Sequence, residues 1–281
     1  MNYRHGFHAG NFADLAKHAA VLTLLRTLRT GAPLLVVDTH AGAGGYDLSD
    51  PDFARSKEAE AGIQALLSGT VPDSLRPLAD YVRARNVRAG FKNRIGFYPG
   101  SPLLVLDHLR AGDDYVGCEL RDDDFNWLQR EIAARGAAVK QDGYAVAVAA
   151  TEDEKALFYL IDPPFERPDD YARITACVRD VLTVRPDACL LIWLPLKDLE
   201  TFDAWLRGME REVIDTDMTP QPVMAVAEIR LRPLWNPMKM NGCALAVVNP
   251  PEGFTDQLAV IASDVAHVFG EAGAEGRVRL F

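Results

Sequence analysis

Residues 160–166 read Leu-Ile-Asp-Pro-Pro-Phe-Glu, closing an apolar run that begins at Ala156. The run predicts a buried strand that delivers the Asp162 carboxylate to its carboxyl end. Pro163 and Pro164 have no N–H to donate and stop the ladder there. Phe165 then sets a flat apolar ring beside the carboxylate. Such a pair suits a planar heterocycle bearing an amino group: the ring stacks on the base while the carboxylate accepts from its NH2. An exocyclic amine is a poor nucleophile because its lone pair is delocalised into the ring. Acceptors on its hydrogens favour the pyramidal nitrogen that can attack. A strand ending in a Pro-Pro turn is the plainer reading of the same residues.

Three other predicted strands also end in acids. Leu34–Asp38 runs into Thr39-His40-Ala41-Gly42-Ala43-Gly44-Gly45, a glycine-rich turn that lets backbone approach a ligand closely. The turn lacks the full G-x-G-x-x-G spacing, which counts against a nicotinamide oxidoreductase. A strand over 115–119 ends at Glu119, an acid suited to accept from two ribose hydroxyls. A short strand at 137–140 precedes Asp142-Gly143, where a carboxylate can accept from an adenine amino group. Together these acids call for a ligand carrying ribose, purine and amine groups.

The elements that must position them alternate. A helical stripe at Leu15, Ala19, Leu22, Leu25 and Leu28 predicts a helix over 11–30. Ser101, as N-cap before Pro102, predicts another over about 101–109. Helices are also expected at 124–135, 171–182, 197–210 and 255–269, with strands at 188–194, 223–231, 244–248 and 277–281. This pattern means an α/β fold: a Rossmann-like, mainly parallel sheet with helices on both faces. In an uninterrupted unit the ribose acid follows the glycines by about 20 residues. Glu119 lies much further from Gly44, so residues 47–97 are read as an inserted helical subdomain within one domain over 1–281. Arg76, Arg83, Arg85, Arg88, Lys92 and Arg94 fall in that segment with Asp80. They form either a phosphate-facing surface or a solvated helix face.

Composition is that of a globular protein, 48% hydrophobic and 25% charged over 281 residues. No apolar stretch is long enough to span a membrane, and the first residues lack a signal-peptide core. Cys118, Cys177, Cys189 and Cys243 form no C-x-x-C pair and read as buried thiols of a reducing compartment, so a cytoplasmic location is expected. His5 and His8 have no cysteine nearby and no H-E-x-x-H pattern, so no metal is expected. The net charge of −10 requires any nucleic-acid contact to rest on local basic residues.

Several runs resemble one family: Tyr3-Arg4-His5, Phe7-His8-Ala9-Gly10-Asn11, Ala13-Asp14, Lys17-His18, Asp38 through Gly44, Tyr98-Pro99-Gly100-Ser101-Pro102, Asp142-Gly143, Ile161-Asp162-Pro163-Pro164 and Asn249-Pro250-Pro251. The chain resembles the class I, S-adenosylmethionine-dependent methyltransferases, and among them the 23S ribosomal RNA adenine-N6 methyltransferases of the RlmJ type. The resemblance covers most of the chain in order. It departs at Phe165, where tyrosine is the family residue, and at Phe12, where histidine is.

The resemblance implies S-adenosylmethionine as cofactor and 23S ribosomal RNA as partner, and a monomer is expected. His18, His40, Ser101, Glu119, Asp142 and Gly143 would hold the cofactor, with His18, His40 and Ser101 near its methionine end. Asp162 would border the cofactor, orient the target amine and deprotonate it. Tyr3 would contact the RNA and Phe165 would stack on the base. A DNA adenine-N6 methyltransferase would share this chemistry. A nucleic-acid-binding module that keeps the cofactor without turnover is an alternative from another class, and the intact Asp162 argues against it.

Overall fold

The computed structural model describes residues 5–28, 31–50, 56–91, 94–233 and 241–281. Its strands are β1 (Leu34–Asp38), β2 (Gly45–Asp47), β3 (Phe97–Pro99), β4 (Asp114–Cys118), β5 (Ala137–Val139), β6 (Ala156–Ile161), β7 (Cys189–Pro195), β8 (Met224–Arg230), β9 (Gly242–Val248) and β10 (Glu275–Leu280). The α-helices are α1 (Phe12–Leu28), α2 (Ala65–Ser68), α3 (Arg76–Arg88), α4 (Ser101–Leu106), α5 (Asp122–Ile132), α6 (Gly143–Ala149), α7 (Asp170–Val184), α8 (Leu199–Met209) and α9 (Phe254–Phe269).

Eight strands form one sheet in the order β10-β8-β9-β7-β6-β1-β4-β5. The five from β7 to β5 are parallel to one another, and β9, β8 and β10 join antiparallel. This is the expected Rossmann-like α/β architecture. Strands β1 and β6 lie at the centre, buried on both faces, which is why Leu34–Asp38 and Ala156–Ile161 read as continuous apolar runs rather than alternating ones. One face packs under α1 and α9 and the other under α7 and α8.

Helix α1 carries more than a stripe. It is apolar on nearly every side because sheet, α9 and α3 enclose it. Its start explains one motif. The Asn11 side chain accepts from the Asp14 N–H at 2.9 Å, and the Asp14 carboxylate reaches back to the Gly10 N–H at 3.0 Å. This reciprocal cap satisfies donors a helix start leaves unpaired. Asn249-Pro250-Pro251 is likewise a structural lock: Asn249 donates to the carbonyls of Pro186 and Ala188, both at 2.9 Å.

Some local features differ from the sequence expectation. Ser101 is the first helical residue of α4 and makes no side-chain cap; Gly100 occupies the N-cap position. The Ser101 hydroxyl turns inward to Asp38 instead, a stronger charge-assisted partner. Helix α6, directly after Asp142, and the small pair β2–β3 add to the expected elements. Strands β2 and β3 are too short to show a period, yet they pair Asp47 with Phe97, so the chain leaves and re-enters on neighbouring strands around the helices at 58–88.

Candidate active site

The carboxyl ends of β1, β4, β5 and β6 surround a cavity. Thr39, His40 and Gly42 line it from β1, Cys118 to Arg121 from β4, Gln141 to Gly143 from β5, and Asp162 and Pro164 from β6. Arg173 of α7 completes the wall. Strand-end loops converge here because a parallel sheet puts all its carboxyl ends on one edge.

Close approach is built into the floor. A Cβ on Gly143 would meet the Thr39 carbonyl oxygen at 2.0 Å. Only glycine lets the start of α6 press against the end of β1. Gly42 has φ +60°, a left-handed conformation that any other residue would occupy under strain.

Glu119 and Asp142 both stand where the sequence expects them. Glu119 follows β4, lines the cavity and accepts from the Arg121 N–H at 2.8 Å. Burial raises its carboxyl above the usual range. Asp142 caps α6 by accepting from the Tyr144 N–H at 3.0 Å and pairs with Arg173 at 2.5 Å. Burial raises this carboxyl too, but Arg173 outweighs it and the group stays below its ordinary value.

His40 lines the cavity, and burial lowers its imidazole to about 4. It is therefore neutral near pH 7. The Thr39 hydroxyl donates to the Leu160 carbonyl at 3.1 Å and shares a 2.8 Å hydrogen bond with His40 Nδ1. Since that hydroxyl hydrogen is committed, Nδ1 carries the imidazole proton and Nε2 is the acceptor.

His18 and Ser101 are not among the residues lining the cavity. His18 is buried, shares a 2.8 Å hydrogen bond with the Tyr98 hydroxyl and stacks on that ring. Ser101 donates to Asp38 at 2.6 Å, and Tyr115 donates to the same carboxylate at 3.2 Å. Asp38 is fully buried, and desolvation raises its pKa to about 6 despite these donors. Tyr3 lies outside the described residues.

A second cavity opens on the other side of Asp162. His8, Asn11, Asp14, Lys17 and Glu58 line one wall, and Pro163, Phe165, Trp193 and Lys197 line another. Asp162 and Pro164 belong to both cavities. Phe165 has φ +50°, rare for a bulky residue, and its ring lies 5.0 Å from Tyr171 and 5.8 Å from Trp193. A strained backbone held by packing is common where a side chain must face a ligand.

Sequence reading missed two partners. Lys17, buried on α1, donates to Asp162 and pairs with Asp14 at 2.9 Å. Burial alone would lower its ammonium, but the two carboxylates outweigh it and hold the charge firmly. A lysine amid the apolar α1 run was the available signal, because buried lysines are paired ones. Glu58 accepts from Asn11 at 2.8 Å and bonds His8 Nδ1 at 2.8 Å, which raises the His8 pKa. Nothing in the local sequence marked it.

The residues fit S-adenosylmethionine. The first cavity offers Glu119 for ribose hydroxyls, and its carboxylates at Glu119, Asp124, Asp142, Asp162 and Asp170 suit a cationic sulfonium. Among the described residues, no helix is long and apolar enough to cross a membrane.

Comparison with known proteins agrees. The chain is 29% identical over 266 residues to "Ribosomal RNA large subunit methyltransferase J" of Haemophilus influenzae, covering 93% of this chain and 91% of that one. It is 28% identical over 263 residues to the Escherichia coli protein of the same name, covering 92% and 90%. A crystal structure of a Legionella pneumophila protein superposes with a TM-score of 0.85 at 24% identity, over 97% of this chain and 98% of that one, and so shares the fold. Residues 31–280 match the model described as "Ribosomal RNA large subunit methyltransferase D, RlmJ"; the chain belongs to that methyltransferase family, and S-adenosylmethionine is its cofactor.

Proposed function

We propose that this enzyme methylates the exocyclic N6 amine of an adenine in 23S ribosomal RNA. The observation that carries the reading is the position of Asp162, which borders both cavities and so stands where a methyl donor in one meets a base in the other. The bound cofactor supplies an activated methyl group, and the protein's task is alignment. Glu119 holds the ribose, and the loop at Asp142-Gly143 holds the adenine ring. His18 and Ser101 support the site from behind, through Tyr98 and Asp38. Asp162 accepts from an amine N–H of the target, which localises the nitrogen lone pair, and receives the proton that nitrogen loses. Lys17 donates to Asp162 and fixes its orientation. Phe165, braced by Trp193, offers a stacking face to a base that is flipped out or already unpaired. Tyr3 adds an RNA contact.

We read residues 47–97 as an insertion that shapes the substrate side, since Glu58 reaches the second cavity. Three of its arginines have acid partners. Arg76 pairs with Asp73, Arg83 with Asp80 and Arg85 with Asp107, the last with only 17% of its side chain exposed. Lys92 lies outside the described residues.

The test is product analysis. Purified protein, S-adenosylmethionine and 23S RNA lacking its natural modifications should yield N6-methyladenosine on nuclease digestion and mass spectrometry. A methyl mark on another base, on a ribose, or only on DNA would overturn the assignment.

A further inference from the structure

Three arginines converge on one buried carboxylate at the far end of the sheet. Glu228 of β8 has no exposed side-chain surface. Arg230 bonds it at 2.5 Å, Arg277 at 3.0 Å and Arg279 at 2.6 Å. Asp203 approaches Arg279 only at 3.9 Å. Arg277 stands directly across from Glu228 in the β8–β10 register, and Arg279 follows two residues later on the same face. Burial raises the Glu228 carboxyl, but Arg230 and Arg277 outweigh it and hold it ionised. One acid therefore gathers three cations, with Glu275 directly across from Arg230 on the neighbouring strand and Asp203 of α8 beside Arg279.

The cluster is part-exposed. The arginine side chains are 23%, 40% and 37% exposed, outside the covered Glu228. Their Nε atoms are buried and have no hydrogen-bond partner among the described residues. Such a cluster is costly as a stability device, since like charges are crowded and donors are left unpaired. Guanidinium groups collected in this way match the geometry of phosphate oxygens.

We propose that Arg230, Arg277 and Arg279 form a grip for backbone phosphates of the substrate RNA, a few nucleotides from the target base. The inference rests on the reading of an RNA substrate given above. The sheet register supports the placement. Glu228 aligns with Ala244 of β9 and through it with Leu194 of β7, while Ile161, just before Asp162, aligns with Ile192. Three strand spacings of about 4.8 Å put Glu228 roughly 14 Å across the sheet from Asp162, near the same edge. Lys197 lines the substrate cavity, and the connection it belongs to leads into α8, which carries Asp203 beside Arg279. Glu228 shares its sheet face with Met224 and Val226, on the α7–α8 side, so the RNA backbone would pass Lys197 and round the sheet edge to reach the arginines.

The experiment compares wild-type protein with Arg277→Gln/Arg279→Gln on a short single-stranded RNA containing the target adenine, with binding followed by fluorescence anisotropy across a salt series. The variant should bind about tenfold more weakly at low salt, and the salt slope should shrink by about 0.7 for each phosphate that is no longer neutralised. Cofactor affinity and kcat at saturating RNA should stay at wild-type values while KM rises. Unchanged RNA affinity and slope would overturn the grip. So would a variant that loses inorganic phosphate binding yet holds RNA normally, since the cluster would then serve a free phosphate ligand. If the Gln pair does not fold, Arg277→Lys/Arg279→Lys keeps Glu228 paired. It should keep the slope but bind about threefold more weakly, because lysine cannot present two donors to one phosphate; full affinity in that variant overturns the proposal. Product analysis on the same samples separates the two readings. A methylated group other than adenine N6 sinks the proposed reaction and leaves the grip standing, whereas normal N6 methylation with normal variant binding sinks the grip alone.

Discussion

Lys17 and Asp162 are 145 positions apart in the chain and joined by a hydrogen bond in the fold. One comes from the first helix and the other from the end of the central strand β6. The side chain of Lys17 is 4% exposed, and it touches a second carboxylate, Asp14. The ammonium is thus a fixed charge beneath the junction of the two cavities. Its hydrogen bond fixes how the Asp162 carboxylate points.

Replacing Asp162 with Asn should preserve the fold and cofactor affinity while lowering single-turnover methylation of an unpaired-adenine RNA by about 10²–10⁴. The amide oxygen can still accept a hydrogen bond but carries no charge and takes no proton. Near-wild-type turnover would remove Asp162 from the chemistry.

Lys17→Met should destabilise the protein as well as slow it. Asp14 and Asp162 would face each other without their cation, and breaking a buried pair typically costs about 3–5 kcal/mol. Urea unfolding would read the loss. A variant as stable as wild type would show that the two carboxylates find other partners.

Glu119→Ala should weaken S-adenosylmethionine binding by about 1.5–3 kcal/mol, the usual value of a hydrogen bond to a charged group. Calorimetry on the apoprotein is the measurement. RNA affinity should not move, because Glu119 lines the first cavity and not the second. Unaltered cofactor binding would take the ribose away from this residue.

Asp38 should give stability an unusual pH dependence. Its folded pKa of about 6 lies above the unfolded value of about 3.9, so the folded state holds this proton more tightly. The contribution is complete below about pH 4 and is lost as pH rises through 6. The loss amounts to about 3 kcal/mol. Other carboxyls here, including Asp107, Asp142 and Glu228, are shifted down and act in the opposite sense. The clean observable is therefore the difference between wild type and Asp38→Asn, measured by urea unfolding at pH 4.5 and 7. The variant should gain on the wild type as pH rises, and a difference independent of pH would contradict the shift.

The sequence by itself determined the central sheet and the acids on its edge. Parallel strands buried on both faces must be continuous apolar runs, and their ends are fixed by the first polar residue or proline, so Asp38, Glu119 and Asp162 could be located from local pattern alone. Asp142 followed from the Asp-Gly turn. Only the tertiary structure decided which side chains meet those acids. Ser101 looked like a helix cap and proved to be a donor to Asp38, because a buried carboxylate is a stronger partner than a backbone N–H. Arg76, Arg83 and Arg85 read as part of either a phosphate-facing surface or a solvated helix face, and their ion pairs with Asp73, Asp80 and Asp107 came into view only in the structure. Arg230, Arg277 and Arg279 carry no local signal, because they gather only when β8 and β10 pair and bring them to Glu228. Local periodicity encodes burial and strand ends; charge balance belongs to contacts between residues far apart in the chain.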